Sequence, residues 1–313
     1  MNEVDMLRND ALVREKDLGN GISSFNFSNK CFWDKAWSKE SIKARGLFCD
    51  VENNSVVARS YNKFFNIEER PETEMRNLRT TFAYPVQAYV KYNGFLAIVS
   101  ADKDNPDKLF VASKSTNEGP FAGYIKNIIN SMWNEDTQKN FANTLHTLDI
   151  SAVFECIDPV HDPHIVEYDR PQLILLDCVN NEFEYSHMEY GWIRCLAERY
   201  NLLCKNRLAT LHNWEQFEGF INYFEDFEGL EGFVFEDANG FMVKYKTPWY
   251  RYWKQVRGVL QQVWNGREID SIKNINNKIK PEHKQPLLNF VDMCRESGIE
   301  TCPSVIEFRN SLS

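Results

Sequence analysis

Four short stretches hold the residues able to do chemistry. Lys91-Tyr92-Asn93-Gly94 sets an amine just ahead of an Asn-Gly pair, Glu231-Gly232 opens an apolar run, Lys244-Tyr245-Lys246 carries two amines on alternate residues, and Glu155 interrupts Ala152-Val153-Phe154 and Cys156-Ile157. A lysine attacks an electrophile only as the neutral amine, and its ordinary pKa is ~10.4. Neighbouring cations and desolvation are what bring the neutral form within reach. A carboxylate in an apolar strand is costly unless it is paired, and its hard oxygens suit magnesium or manganese. Taken alone, a lysine before Asn-Gly reads as a solvated charge on a hairpin; the meaning of these residues depends on what brings them together.

Charge is distributed unevenly around them. The chain has 313 residues with 36 Lys+Arg and 45 Asp+Glu, a net charge of −9, which excludes a generally basic nucleic-acid coat. Yet Glu215, Glu218, Glu225, Asp226, Glu228, Glu231, Glu236 and Asp237 form an acidic stretch without a base. Lys244, Lys246, Arg251, Lys254, Arg257 and Arg267 then follow without an acid. Tyr245, Trp249, Tyr250, Tyr252 and Trp253 are interleaved with those bases. The bland reading is a pair of solvated faces that attract each other. The sharper one is a local strip for phosphates beside stacked bases. The aromatic content (8 Trp, 13 Tyr, 22 Phe) excludes disorder over most of the chain. The eight cysteines are scattered without a CxxC pair, so they read as free thiols in a reducing compartment. No apolar run is long enough to span a membrane, and the acidic start MNEVDMLRND is unlike a signal peptide. A cytoplasmic protein is expected.

The elements that must position these residues are legible in part. Residues 1–45 show only weak periodicity. GLFCDV, a turn at Glu52–Ser55 and VVARSY read as a hairpin, and residues 71–81 as a short helix or loop. Val86, Ala88 and Val90 alternate with Gln87, Tyr89 and Lys91, a period of two that marks a strand. Asn93-Gly94 is a strong hairpin-turn signal, which predicts 95–100 as the return strand. Further strands are expected at 108–113, 151–157 and 172–179, with helices over 119–147, 191–203 and 214–227. A second hairpin spans 232–236 and 241–246. From Tyr250 onward the pattern is helical, interrupted at Pro281 and Pro303. The expectation is an α+β fold, with a boundary near residue 250 that separates a domain of residues 1–250 from a small helical domain of residues 251–313.

The ordered segments Arg45-Gly46-Leu47-Phe48, Lys63-Phe64-Phe65-Asn66, Lys91-Tyr92-Asn93-Gly94, Ser113-Lys114-Ser115, Phe154-Glu155, Glu231-Gly232-Phe233-Val234 and Lys244-Tyr245-Lys246 together resemble the covalent nucleotidyltransferase superfamily of polynucleotide ligases and capping enzymes. Within it they are most similar to the RNA ligase 1 family, which includes phage RNA ligase and the ligase domain of fungal tRNA ligase. The resemblance covers about residues 40–250. It implies antiparallel sheets flanked by helices, ATP as the nucleotide, and Mg2+ or Mn2+. It implies that Lys91 is the nucleophile that forms lysyl-AMP, with Lys244 and Lys246 on the α-phosphate. Arg45, Lys63, Phe65, Asn93, Gly94, Lys114, Glu155 and Gly232 match nucleotide-binding positions, and Glu231 and Glu155 match positions near the metal. The amines of Lys244 and Lys246 are the expected cause of a neutral Lys91, delivered by one hairpin facing another. Trp249, Tyr250, Arg251 and Lys254 are candidates for RNA contact, although packing is the commoner role of such aromatics.

The implied substrates are RNA ends bearing 3′-OH and 5′-phosphate, tRNA among them. No P-loop motif is present, so a separate kinase and phosphatase would prepare the ends. His161-Asp162-Pro163-His164 reads as a polar loop. The helical pattern after residue 250 argues against an oligonucleotide-binding barrel. Two alternatives stand beside the ligase: a GTP-using RNA guanylyltransferase and a non-catalytic RNA or nucleotide-binding module.

Overall fold

The computed structural model describes residues 2–312. The chain divides into two compact units that interleave along the sequence. One comprises the residues up to Phe64, Gly94–Asp158 and Pro171–Asn206. The other comprises Phe65–Asn93, Pro159–Arg170 and the residues from Arg207 onward.

The first unit contains two sheets. Val13–Asp17, Ile22–Phe27, Leu47–Asp50 and Ser55–Arg59 form an antiparallel four-stranded sheet in sequence order. A five-stranded sheet runs Leu203–Cys204, Gln172–Asn180, Ile150–Ile157, Phe95–Ala101, Leu109–Ser113, antiparallel except for the short parallel first pair. Helices Gly119–Met132 and Glu135–Leu148 supply Ile125, Ile128, Ile129, Phe141 and Leu145 to a core with Val99, Phe154 and Leu175. The break between these helices falls where Asn134 leaves helical geometry and caps the second through the Thr137 N–H.

The second unit is built on a five-stranded sheet in the order Arg207–Leu211, Val86–Lys91, Gly232–Glu236, Met242–Lys246, Phe65–Asn66. Its apolar face, Val86, Ala88, Phe233, Phe235 and Val243, packs with Leu78, Phe82, Trp214 and Phe217. Because side chains alternate across a strand, the residues between them, Lys91 and Lys246 among them, share the opposite face. The Pro248–Trp264 helix follows directly, with Thr247 accepting from the Tyr250 N–H and Pro248 in its first turn. It packs with Pro281–Glu296 and Val305–Asn310 around Val256, Leu260, Leu287, Val291 and Phe308. Among the described residues no strand follows Met242–Lys246, and no helix is long and apolar enough to cross a membrane.

One local reading of the sequence is overturned. Val86–Lys91 and Phe95–Ala101 are not partners in a hairpin; they belong to different sheets, and the division between the units falls at the Asn93–Gly94 bond. A tight type I′ turn needs positive φ at both central residues, and neither Asn93 nor Gly94 has it. The N-terminal 45 residues, only weakly periodic in sequence, supply two strands of the four-stranded sheet and three short helices.

Candidate active site

Pairing register assembles the centre of the site. In the sheet of the second unit, Gly232 lies opposite Lys91 on one side and opposite Lys246 on the other. Two lysines thus share a row across three strands, separated by a residue with no side chain. Only glycine fits there: φ is 148°, and a Cβ would stand 2.0 Å from the Tyr245 carbonyl oxygen. One step back, Glu231 is 2% exposed. Its Oε1 accepts from the Lys91 amine at 3.0 Å and from the Lys246 amine at 2.9 Å. Burial raises the pKa of this carboxyl, but the two amines outweigh it and hold the group below the usual carboxylate range. The Lys246 amine also lies 4.8 Å from the centre of the Tyr250 ring.

The arrangement corrects the expected environment of Lys91. The sequence reading places cations beside it from a facing hairpin. The lysines instead lie in the same sheet, and a carboxylate sits against the amine. In this state Lys91 is half of an ion pair, which must open before the amine can act. Lys244, one alternation before Lys246, lines a cavity of about 520 Å³ together with Asn66, Lys246, Arg251 and Lys254.

Asn93 does not turn the chain; it ties segments of this unit together. It is buried. Its Oδ1 accepts from the Ile165 and Val166 N–H groups, each at 3.0 Å, its Nδ2 donates to the Tyr250 hydroxyl at 3.2 Å, and its own N–H donates to the Tyr168 hydroxyl at 2.9 Å. Tyr250 is therefore a packed core residue as well as an Asn93 partner. Trp249 is half-buried, with the Arg309 guanidinium 5.0 Å from its ring centre. Phe65 is buried beneath the Arg70 guanidinium. His164 pairs with Asp162 at 2.7 Å in its loop.

The first unit holds the other candidates. Gly94 donates its N–H to Glu155 Oε1 at 2.8 Å, and a Cβ at Gly94 would stand 2.1 Å from the Cys156 carbonyl oxygen. Glu155 thus has the partner its apolar strand requires. The Arg45 guanidinium donates to Ser60 Oγ at 3.3 Å; burial pushes its pKa down, opposed by the Glu155 charge. Lys63 is buried, donates to the Phe64 carbonyl and sits 5.1 Å from the Trp37 ring centre. The Lys114 amine lies 4.2 Å from the Phe27 ring centre. Phe27, Phe32 and Trp37 stack edge to face, so the two lysines rest on one aromatic cluster. The sequence reading missed that cluster, because its members come from the stretch with no clear periodicity.

A divalent ion fits the donor set only in one way. Among the described residues no three acidic, histidine or cysteine side chains cluster to cage a metal. One carboxylate plus substrate phosphates is a common magnesium environment, and Glu231 is the carboxylate of the lysine row.

The fold and site can be compared with known proteins. Solved structures with the same fold include a putative ATP-dependent DNA ligase from Aquifex aeolicus (17% identity, TM-score 0.56, 95% of this chain and 72% of that one). An archaeal ATP-dependent RNA ligase also shares it (11% identity, TM-score 0.57, 94% and 73%). The strand-borne lysines of this row and the buried glutamate beside them are residues by which the sequence resembles the covalent nucleotidyltransferase superfamily. A family model described as RNA ligase matches residues 43–250, and the chain belongs to the RNA ligase 1 family of that superfamily. Curated relatives include a tRNA ligase of Candida albicans, 26% identical over 76% of this chain and 33% of its own length. A tRNA ligase of Schizosaccharomyces pombe is 27% identical over 74% and 34%, and a putative RNA ligase of Thermovibrio ammonificans is 25% identical over 76% and 58%. The chain therefore spans about a third of the length of the two fungal relatives.

Proposed function

We propose that this chain is an ATP-dependent RNA ligase that joins 3′-OH and 5′-phosphate ends, acting in RNA repair or splicing, with tRNA among its substrates. The observation that carries the reading is the row Lys91–Gly232–Lys246 with both amines on one oxygen of buried Glu231.

The mechanism follows from that row. The triphosphate of ATP carries more negative charge than one carboxylate, and its arrival draws Lys246, and Lys244 beside it, toward the nucleotide. Lys91 is then released from its ion pair and, once deprotonated, its Nζ forms a bond to the α-phosphorus as the bond to pyrophosphate breaks. AMP passes to the RNA 5′-phosphate, and the 3′-hydroxyl displaces AMP as the strand closes. A magnesium or manganese ion carried on the phosphates would spread the charge that develops, with Glu231 as its protein ligand. In this reading the nucleotide-binding residues of the first unit are Arg45, Lys63, Gly94, Lys114 and Glu155, and those of the second unit are Phe65, Asn93 and Gly232. Arg251 and Lys254, on the cavity beside Lys244, meet RNA.

The helices after residue 250, which share their core with Ile165, Val166 and Tyr250, serve the substrate in this reading. A separate kinase and phosphatase prepare the ends. The free state of all eight cysteines supports a cytoplasmic site of action.

The test is incubation with α-labelled ATP and magnesium, beside Lys91→Ala. Label on the wild type alone, followed by sealing of an RNA with 3′-OH and 5′-phosphate ends, supports the ligase. Label from GTP alone would make it a guanylyltransferase, and no label from either nucleotide would make it a binding module.

A further inference from the structure

We propose that Arg309, on the Val305–Asn310 helix, is a positioning residue for the Lys91 motif, so that the helical region after residue 250 governs the adenylylation step itself. The proposal deepens the ligase reading and rests on it.

The connection is a short series of named contacts within the second unit. The Arg309 guanidinium lies over two indoles one turn apart on the Pro248–Trp264 helix, 5.0 Å from the Trp249 ring centre and 5.7 Å from that of Trp253. Its Nη1 donates to the Ile165 carbonyl at 2.8 Å, and its Nη2 lies 3.4 Å from Glu167. Asn310 Nδ2 also reaches Glu167, at 3.3 Å. The 165–167 segment is thus gripped through its carbonyl side by this helix. Through its N–H side the same segment is gripped by Asn93, whose Oδ1 takes both the Ile165 and Val166 N–H groups. Asn93 is two residues from Lys91 and reaches Tyr250, whose ring carries the Lys246 amine. Both lysines of the catalytic row are therefore coupled to one asparagine, and that asparagine to one arginine.

A planar guanidinium suits this place and an ammonium does not. It can stack on both indoles while donating in its plane to a carbonyl and a carboxylate. Burial lowers the Arg309 pKa and Glu167 raises it back in part; the cation still has a partner. The neighbouring Phe308 is fully buried in the helical core, which fixes the helix that carries Arg309. Neither Arg309 nor Ile165 belongs to a sequence motif that the proposed chemistry uses, so nothing in the motif pattern foretells the link.

The test combines two readouts on the whole chain. In Arg309→Ala, hydrogen exchange at the Ile165, Val166 and Asn93 amides should accelerate. Single-turnover lysine adenylylation should slow about tenfold or more, with KM for ATP moved less than about twofold, because misplacement of a reacting group costs rate rather than binding. Arg309→Ala combined with Asn93→Ala should be no slower than Asn93→Ala alone, since both act through one link. If Arg309→Ala does not fold, Arg309→Lys carries the test: it keeps a donor for Ile165 but loses the stacked plane, and an intermediate rate of about threefold below wild type is expected. Unchanged amide exchange overturns the proposal. So does a wild-type adenylylation rate beside a lowered melting temperature, which would make Arg309 merely structural. Loss of RNA sealing with normal adenylylation overturns it too, by assigning the helical region to RNA alone. If the wild type takes no label from ATP, the ligase reading fails, and the exchange measurement still decides whether Arg309 orders the motif.

Discussion

Two buried carboxylates in this molecule are each gripped by two basic side chains, yet they differ in how open their partners are to solvent. Glu231 takes Lys91 and Lys246 on one oxygen. Asp177, in the first unit, takes Lys205 at 3.2 Å and His187 at 3.2 Å. Both carboxyls are held below their ordinary range: burial pushes each up and its basic partners more than offset that. What separates them is access. Lys205 is nearly enclosed, with a side-chain exposure of 7%, and only His187, at 20%, reaches the surface there. Lys91 and Lys246 keep 20% exposure each, and Lys246 opens on a cavity. A closed cluster stabilises its fold, whereas an open one can exchange its partner for a substrate phosphate. In the proposed reading the same pairing chemistry is structural in one place and catalytic in the other.

The comparison breaks first on Lys91. Lys91→Ala should lower adenylylation by a factor on the order of 10⁴ or more, measured with labelled ATP, because nothing replaces an attacking amine. Asp177→Ala should leave the specific rate of the folded protein unchanged but cost about 3–5 kcal/mol in denaturant unfolding, since it removes the buried carboxylate that the Lys205 ammonium pairs with. Glu231→Ala should show the opposite pattern. Its stability cost should stay below about 2 kcal/mol, because both lysines can turn to water, while adenylylation falls on the order of a hundredfold. A large stability loss at Glu231 with normal rate would erase the distinction.

Acid separates the two sites least. A carboxyl depressed in the folded state contributes stability at neutral pH that is lost as pH falls through its folded pKa. Both Asp177 and Glu231 should therefore contribute to unfolding below the ordinary carboxylate range. Asp177→Asn should flatten the acid limb of a stability–pH curve without altering the pH dependence of labelling. An acid limb identical to wild type would remove Asp177 from the closed class.

Much of this was legible in the residues themselves. The alternation at Val86–Lys91 and the Gly232–Glu236 and Met242–Lys246 pair are strands as read, because their apolar face is buried and their period is clean. Glu155 needed a partner and has one in the Gly94 N–H. The Asn93-Gly94 turn misled because its preference is local, whereas its conformation is decided by contacts 72 to 157 residues away. The pairing of Lys91 with Glu231 was hidden for the same reason. Register across three strands, not spacing along one, sets an amine beside a carboxylate. Arg309 carries no motif and is legible only once its two tryptophans and the Ile165 carbonyl are in place.

In the proposed reaction Lys91, at the open carboxylate, becomes covalently adenylylated. Intact-mass analysis after incubation with ATP and magnesium, followed by peptide mapping under conditions that preserve a phosphoramidate, tests it directly. One AMP adduct is expected, on the peptide bearing Lys91 and absent from Lys91→Ala. An adduct on Lys246 or any other lysine, or an adduct that persists in Lys91→Ala, would contradict it.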